Sequence, residues 1–106
     1  MDFGEHGLGR QPDWNKAIVE RNANHATVLR NHPSIFMWSL GNETGTGSNC
    51  ADARDAVRKI DATRPIHWQA GNDLADVDSE MYPSVEWLYK RGQLGEGKLN
   101  YLQDKQ

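Results

Sequence analysis

The stretch Arg30-Asn31-His32-Pro33-Ser34-Ile35-Phe36-Met37-Trp38-Ser39-Leu40-Gly41-Asn42-Glu43 decides how this chain reads. Within it, Ile35-Phe36-Met37-Trp38 is a short apolar run that begins after Pro33. Gly41, Gly45 and Gly47 close the run in a turn, which predicts a buried strand over residues 35–40 followed by a loop. Glu43 therefore falls where strand passes to loop. A carboxyl at the end of a core strand is partly buried, the setting a proton donor needs. The same residue also suits a simple turn cap, and the local pattern favours neither role.

Working outward, Pro12-Asp13 reads as a helix start with Asp13 as the cap, and a helix is expected over residues 14–30. Its apolar face would hold Trp14, Ala17, Ile18, Val28 and Leu29, interrupted by a polar middle from Arg21 to His25. Asn31-His32-Pro33 stops it, because a residue before proline is pushed out of the helical region. Beyond the glycine-rich loop, a second helix over 50–60 presents Ala53, Ala56, Val57 and Ile60 to the core. Asp61-Ala62-Thr63-Arg64-Pro65 ends that helix, a strand follows over 66–69, another is expected over 77–81, and a third helix over 85–90 starts at a Ser84 cap and closes at Gly92. Alternating strands and helices predict an α/β protein with a parallel sheet and crossover helices.

Composition narrows the partners. The chain has 106 residues, enough for one domain, and a formal charge of −3 with acids and bases interspersed. Neither nucleic acid nor an anionic membrane is an expected partner. No run approaches the ~20 apolar residues of a membrane span, and Met1-Asp2-Phe3-Gly4-Glu5 lacks the features of a signal peptide, so the expected location is the cytoplasm. Cys50 is the single cysteine, which rules out an intrachain disulfide.

The long stretch ending at Glu43 resembles the signature of glycoside hydrolase family 2, in particular its β-galactosidase branch. The likeness continues in order through Gly45-Thr46-Gly47, Asp61-Ala62-Thr63-Arg64-Pro65-Ile66 and Met81-Tyr82-Pro83-Ser84. It implies part of a (β/α)₈ TIM barrel, from about the end of the third strand through the sixth, with a β-galactoside or related carbohydrate as substrate. By this resemblance Glu43 is the general acid/base, Asn42 hydrogen-bonds the sugar near its 2-hydroxyl, and Tyr82 hydrogen-bonds the nucleophile. Considered alone, Asn42 suits a turn and Tyr82 a half-buried core position.

The family also binds Mg²⁺ through a Glu-x-His segment helped by the acid/base Glu. Here Gly4 stands at the acidic position and Glu5 adjoins His6, so His6 and Glu43 are the ligands that carry over. A solvated His6 is the plainer alternative, since Mg²⁺ prefers oxygen ligands. Trp68 offers an aromatic face on which a sugar could stack. Trp14, Trp38 and Trp87 read as core residues, and His25, His32 and His67 as structural. Asp73, Asp76 and Asp78 read as a solvated loop.

The resembled family places its nucleophilic Glu in a Cys-Glu-Tyr-like segment, and no such segment occurs here. Beyond the second helix stand Glu80, Glu86 and Glu96, none in a matching setting. The expectation is a piece of a retaining glycosidase that carries the acid/base without the nucleophile and is inactive alone, completed by the remainder of the barrel or by self-association. The alternative is a non-catalytic carbohydrate-binding or interaction protein built on a partial barrel.

Overall fold

The computed structural model describes residues 7–93. After short 3₁₀ turns at Leu8–Arg10 and Pro12–Trp14 come α1 (Asn15–Leu29), β1 (Trp38–Asn42), α2 (Ser48–Ile60), β2 (Ile66–Gln69), a 3₁₀ turn at Asn72–Leu74 and α3 (Val85–Gln93). β1 and β2 pair in parallel, with α2 as the crossover between them. This is the expected βαβ unit.

α2 supplies the core of that unit, burying Asn49, Cys50, Ala53 and Val57 at helical spacing. At one end Val57 packs with Ala26, Trp38 and Ile66. At the other, Cys50 and Ala53 pack with Trp68 and Ala75. Ile18, Val19 and Leu29 of α1 lie against these clusters. The face expected for α1 is thus partly corrected: Val28 is 73% exposed and Trp14 49%. The polar middle of the helix is accommodated locally, since the Asn22 amide donates to the Ile18 carbonyl at 3.0 Å and His25 meets Trp38 edge-on. Asp13 lies within a 3₁₀ turn and makes no cap bond.

β1 begins at Trp38, three residues later than expected, and side chains explain why. The Arg64 guanidinium donates to the carbonyls of Ile35 (2.7 Å) and His32 (3.2 Å), which occupies backbone groups that a ladder would use. Pro65 ends the ladder from the other strand: its carbonyl accepts Trp38 N–H at 2.9 Å, but it has no N–H to extend the pairing. The strand expected over 77–81 is not formed. Asn72 instead bonds the backbone of Ser79 through both its amide oxygen and nitrogen, and Asp76 clips onto both backbone groups of Ile66. Asp76 also pairs with Arg58, and Asp78 with Arg91, so these acids are held in place. α3 starts where expected, with Ser84 Oγ accepting Trp87 N–H, and runs through Gly92 to Gln93.

The tightest polar cluster surrounds Asp61, which is 7% exposed. Its carboxylate accepts from Trp38 Nε1 (2.9 Å), Thr63 N (2.8 Å), Thr63 Oγ1 (2.6 Å) and Arg64 (2.6 Å). The Thr63 hydroxyl foremost, then Arg64, the Thr63 amide and the Trp38 indole hold its carboxyl well below the usual carboxylate range, against a burial that works in the opposite direction. A depressed folded-state pKa contributes stability that is fully present above the unfolded Asp value of about 4 and is lost as pH falls below it. Urea titrations should therefore show the midpoint falling from pH ~4 downward. Asp61→Asn should remove that slope and lower stability at pH 7 by about 3 kcal/mol, because Arg64 loses its buried counter-ion.

Candidate active site

Parallel pairing brings the carboxyl ends of β1 and β2 to one edge, with Asn42 in register with Gln69. Between Ser39 and Asn42 the register slips, so β1 carries an extra residue relative to His67–Gln69. Such a bulge re-aims the residues that follow it. Glu43 comes next, half-buried, with φ +53° and its N–H donating to Gln69 O at 3.3 Å.

Among the described residues, two other non-glycine residues share this left-handed backbone: Ala70 (φ +61°), directly after β2, and Tyr82 (φ +53°). The conformation costs an L-residue roughly 1–2 kcal/mol and persists where the surroundings impose it, often at functional rims. Glu43 and Ala70 line a cleft of about 490 Å³ together with Asn72, Asp73, Glu80 and Met81. That volume lies in the range of small-molecule sites. Chemically, the cleft offers several carboxyl groups around a polar floor, a setting for proton transfer to a neutral polar ligand.

Asn42 is exposed beside the cleft, and Tyr82 follows the cleft residue Met81 but is itself 93% exposed and outside the lining. Trp68, expected to offer a face to a sugar, lies in the core. It is 2% exposed and wedged between two glycines: a Cβ at Gly41 would lie 2.5 Å from its ring and one at Gly71 2.7 Å. His6 lies outside the described residues, and among the described residues no group of three or more His, Cys, Asp or Glu side chains converges as a metal site. Burial pushes the Cys50 thiol up from its usual value, which disfavours the reactive thiolate.

Asp73 and Glu80 were not foreseen as cleft residues. They arrive there because Asn72 gathers Asp78 and Ser79 by side-chain hydrogen bonds, a fold-back that a period-two reading takes for a strand. Asn72 within Gly71-Asn72-Asp73 was the available signal, since Asn side chains commonly organise turns through backbone bonds.

This edge of a βαβ unit, with an acid at a strand end above a polar cleft, is the arrangement of an α/β enzyme's active face. Residues 2–106 match the description "Glycosyl hydrolases family 2, TIM barrel domain", and the chain belongs to that family. It is 32% identical over 81 residues to a β-galactosidase large subunit of Lactobacillus acidophilus, covering 70% of this chain and 13% of the relative. It is 40% identical over 83 residues to β-galactosidase 2 of Enterobacter cloacae and 41% over 80 residues to a β-galactosidase of Staphylococcus xylosus. These matches cover 76% and 66% of this chain and 8% of each relative. The chain thus spans about a tenth of the length of these curated relatives.

The Trp68 slot yields a direct expectation. Gly41→Ala or Gly71→Ala forces the indole to shift and should cost roughly 1–3 kcal/mol, as overpacking does. A comparison of urea midpoints checks it, with Gly45→Ala as a control for left-handed strain alone, since space there is open.

Proposed function

We propose that the chain is part of a retaining glycosidase acting on β-galactosides, in which Glu43 is the general acid/base. The observation that carries this reading is the place of Glu43: directly after β1, on the edge where both parallel strands end, and on the cleft wall. In the first half-reaction Glu43 gives its proton to the leaving oxygen while a second carboxylate attacks the anomeric carbon. In the second, Glu43 takes a proton from the water that releases the sugar. Asn42 orients the sugar through its 2-hydroxyl, and Tyr82 bonds the nucleophile.

We place this chain from the end of the third strand to the sixth of a (β/α)₈ barrel. The apolar surface on Phe36 (76% exposed), Val28 (73%), Val85 (84%) and Tyr89 (64%) supports cover by further polypeptide. The donors proposed for Mg²⁺ fit poorly: one imidazole and one carboxylate, with Gly4 at the third position, are not the oxygen-rich set that ion prefers.

The isolated chain should leave a nitrophenyl galactoside unhydrolysed, because the nucleophile's setting is absent. Co-expressed with a polypeptide that completes the barrel, it should turn the substrate over, and Glu43→Gln should slow that turnover by about 10²–10⁴-fold. Turnover by the isolated chain that Glu43→Gln abolishes would overturn the need for a second carboxylate from elsewhere. An unchanged rate for Glu43→Gln in the assembled enzyme would overturn the acid/base assignment.

A further inference from the structure

We infer that Trp68 is a positioning residue for Glu43: its indole N–H, fixed in the slot between Gly41 and Gly71, holds Thr44 and thereby the left-handed turn that carries Glu43. The catalytic consequence rests on the acid/base reading given above, whereas the geometry stands without it.

The indole has little room to move. It is 2% exposed, with Gly41 against Nε1, Cε2 and Cζ2 and Gly71 against Cδ1 and Cγ, both too close for a side chain. Its Nε1 donates to Thr44 Oγ1 at 3.0 Å, and that hydroxyl donates on to the Gly45 carbonyl at 3.3 Å. Thr44 is thus held between two left-handed residues, Glu43 (φ +53°) and Gly45 (φ +71°). Glu43 has a second anchor on its other side, where its own N–H meets Gln69 O. Both anchors come from β2. The strand therefore grips the loop after β1 at the two points flanking the Glu43 Cα, which is how a conformation unfavourable to an L-residue is maintained. Packing alone would be served by a large aromatic such as Phe at position 68, but Phe brings no donor to Thr44, whereas the indole N–H does.

Nuclear magnetic resonance on the full chain tests the inference, because positive φ gives a strong HN–Hα Overhauser effect within the residue. In the native chain Glu43 should show that strong signal and a slowed amide exchange. Thr44→Val and Trp68→Phe should lose the strong signal and speed exchange of the Glu43 amide roughly fivefold to tenfold, the value of one hydrogen bond. Thr44→Ser should retain both. Thr44 is exposed, so Thr44→Val reports on the hydrogen bond even if Trp68→Phe fails to fold. An unchanged Glu43 signal and exchange rate in Thr44→Val overturns the inference, as does Thr44→Ser behaving like Thr44→Val. Turnover indifferent to Glu43→Gln would instead defeat the acid/base reading and leave these two outcomes as they stand.

Discussion

The buried carboxylate of Asp61 is the constraint on which the unit depends. It lies at the junction of α2 and β2 and reaches across to Trp38 at the start of β1, so one side chain ties together both strands and the crossover helix. Arg64 extends the tie: beside Asp61 it stacks over Trp38, 5.6 Å from the ring centroid, and takes the carbonyls of His32 and Ile35. A buried charge pair is stabilising only where its remaining hydrogen-bonding capacity is met. Here four donors meet one carboxylate, and the guanidinium has two carbonyls besides. The segment before β1 is thereby locked, and the strand can begin only at Trp38.

From that fixed start, geometry carries through to the cleft. Trp38 pairs with Ile66, the bulge beyond Ser39 adds a residue, and Glu43 emerges beside Gln69 and Ala70. The second core cluster supports this end, with Trp68 beneath the loop and Cys50 beside it. The first cluster sets the distance between α2 and the strands. The two motifs that seemed separate in the sequence, the run ending at Glu43 and the Asp61–Pro65 turn, are in contact through Trp38, Asp61 and Arg64.

Much of this was legible. Pro and Gly punctuation located both parallel strands, the crossover helix and the Ser84 cap, because these depend on local backbone rules. The strand expected over 77–81 failed because Asn72 satisfies the Ser79 backbone and Asp76, just before it, is tied to Ile66, which period-two alternation does not reveal. Val28 fell on a plausible apolar face yet lies outward, while Ala26, a smaller residue, fills the contact with Trp38 and Val57. At the cleft, Glu43 was visible from its place after the apolar run. The left-handed backbone at Glu43, Ala70 and Tyr82 was not, because none is a glycine or asparagine that would signal it. The burial of Trp68 was not legible either, because an aromatic residue near a strand end suits a surface or a core position, and its close approach to Gly41 and Gly71 is set by the fold.

The central claim is that Glu43 moves the proton and does not itself attack the sugar. The direct measurement is azide rescue of Glu43→Ala in the assembled enzyme, using an activated aryl β-galactoside and determining the configuration of the product. An acid/base role predicts that azide restores turnover and yields the β-galactosyl azide, since the nucleophile still forms its intermediate and azide needs no base. Absence of rescue, or an α-galactosyl azide formed by a single displacement, would contradict it.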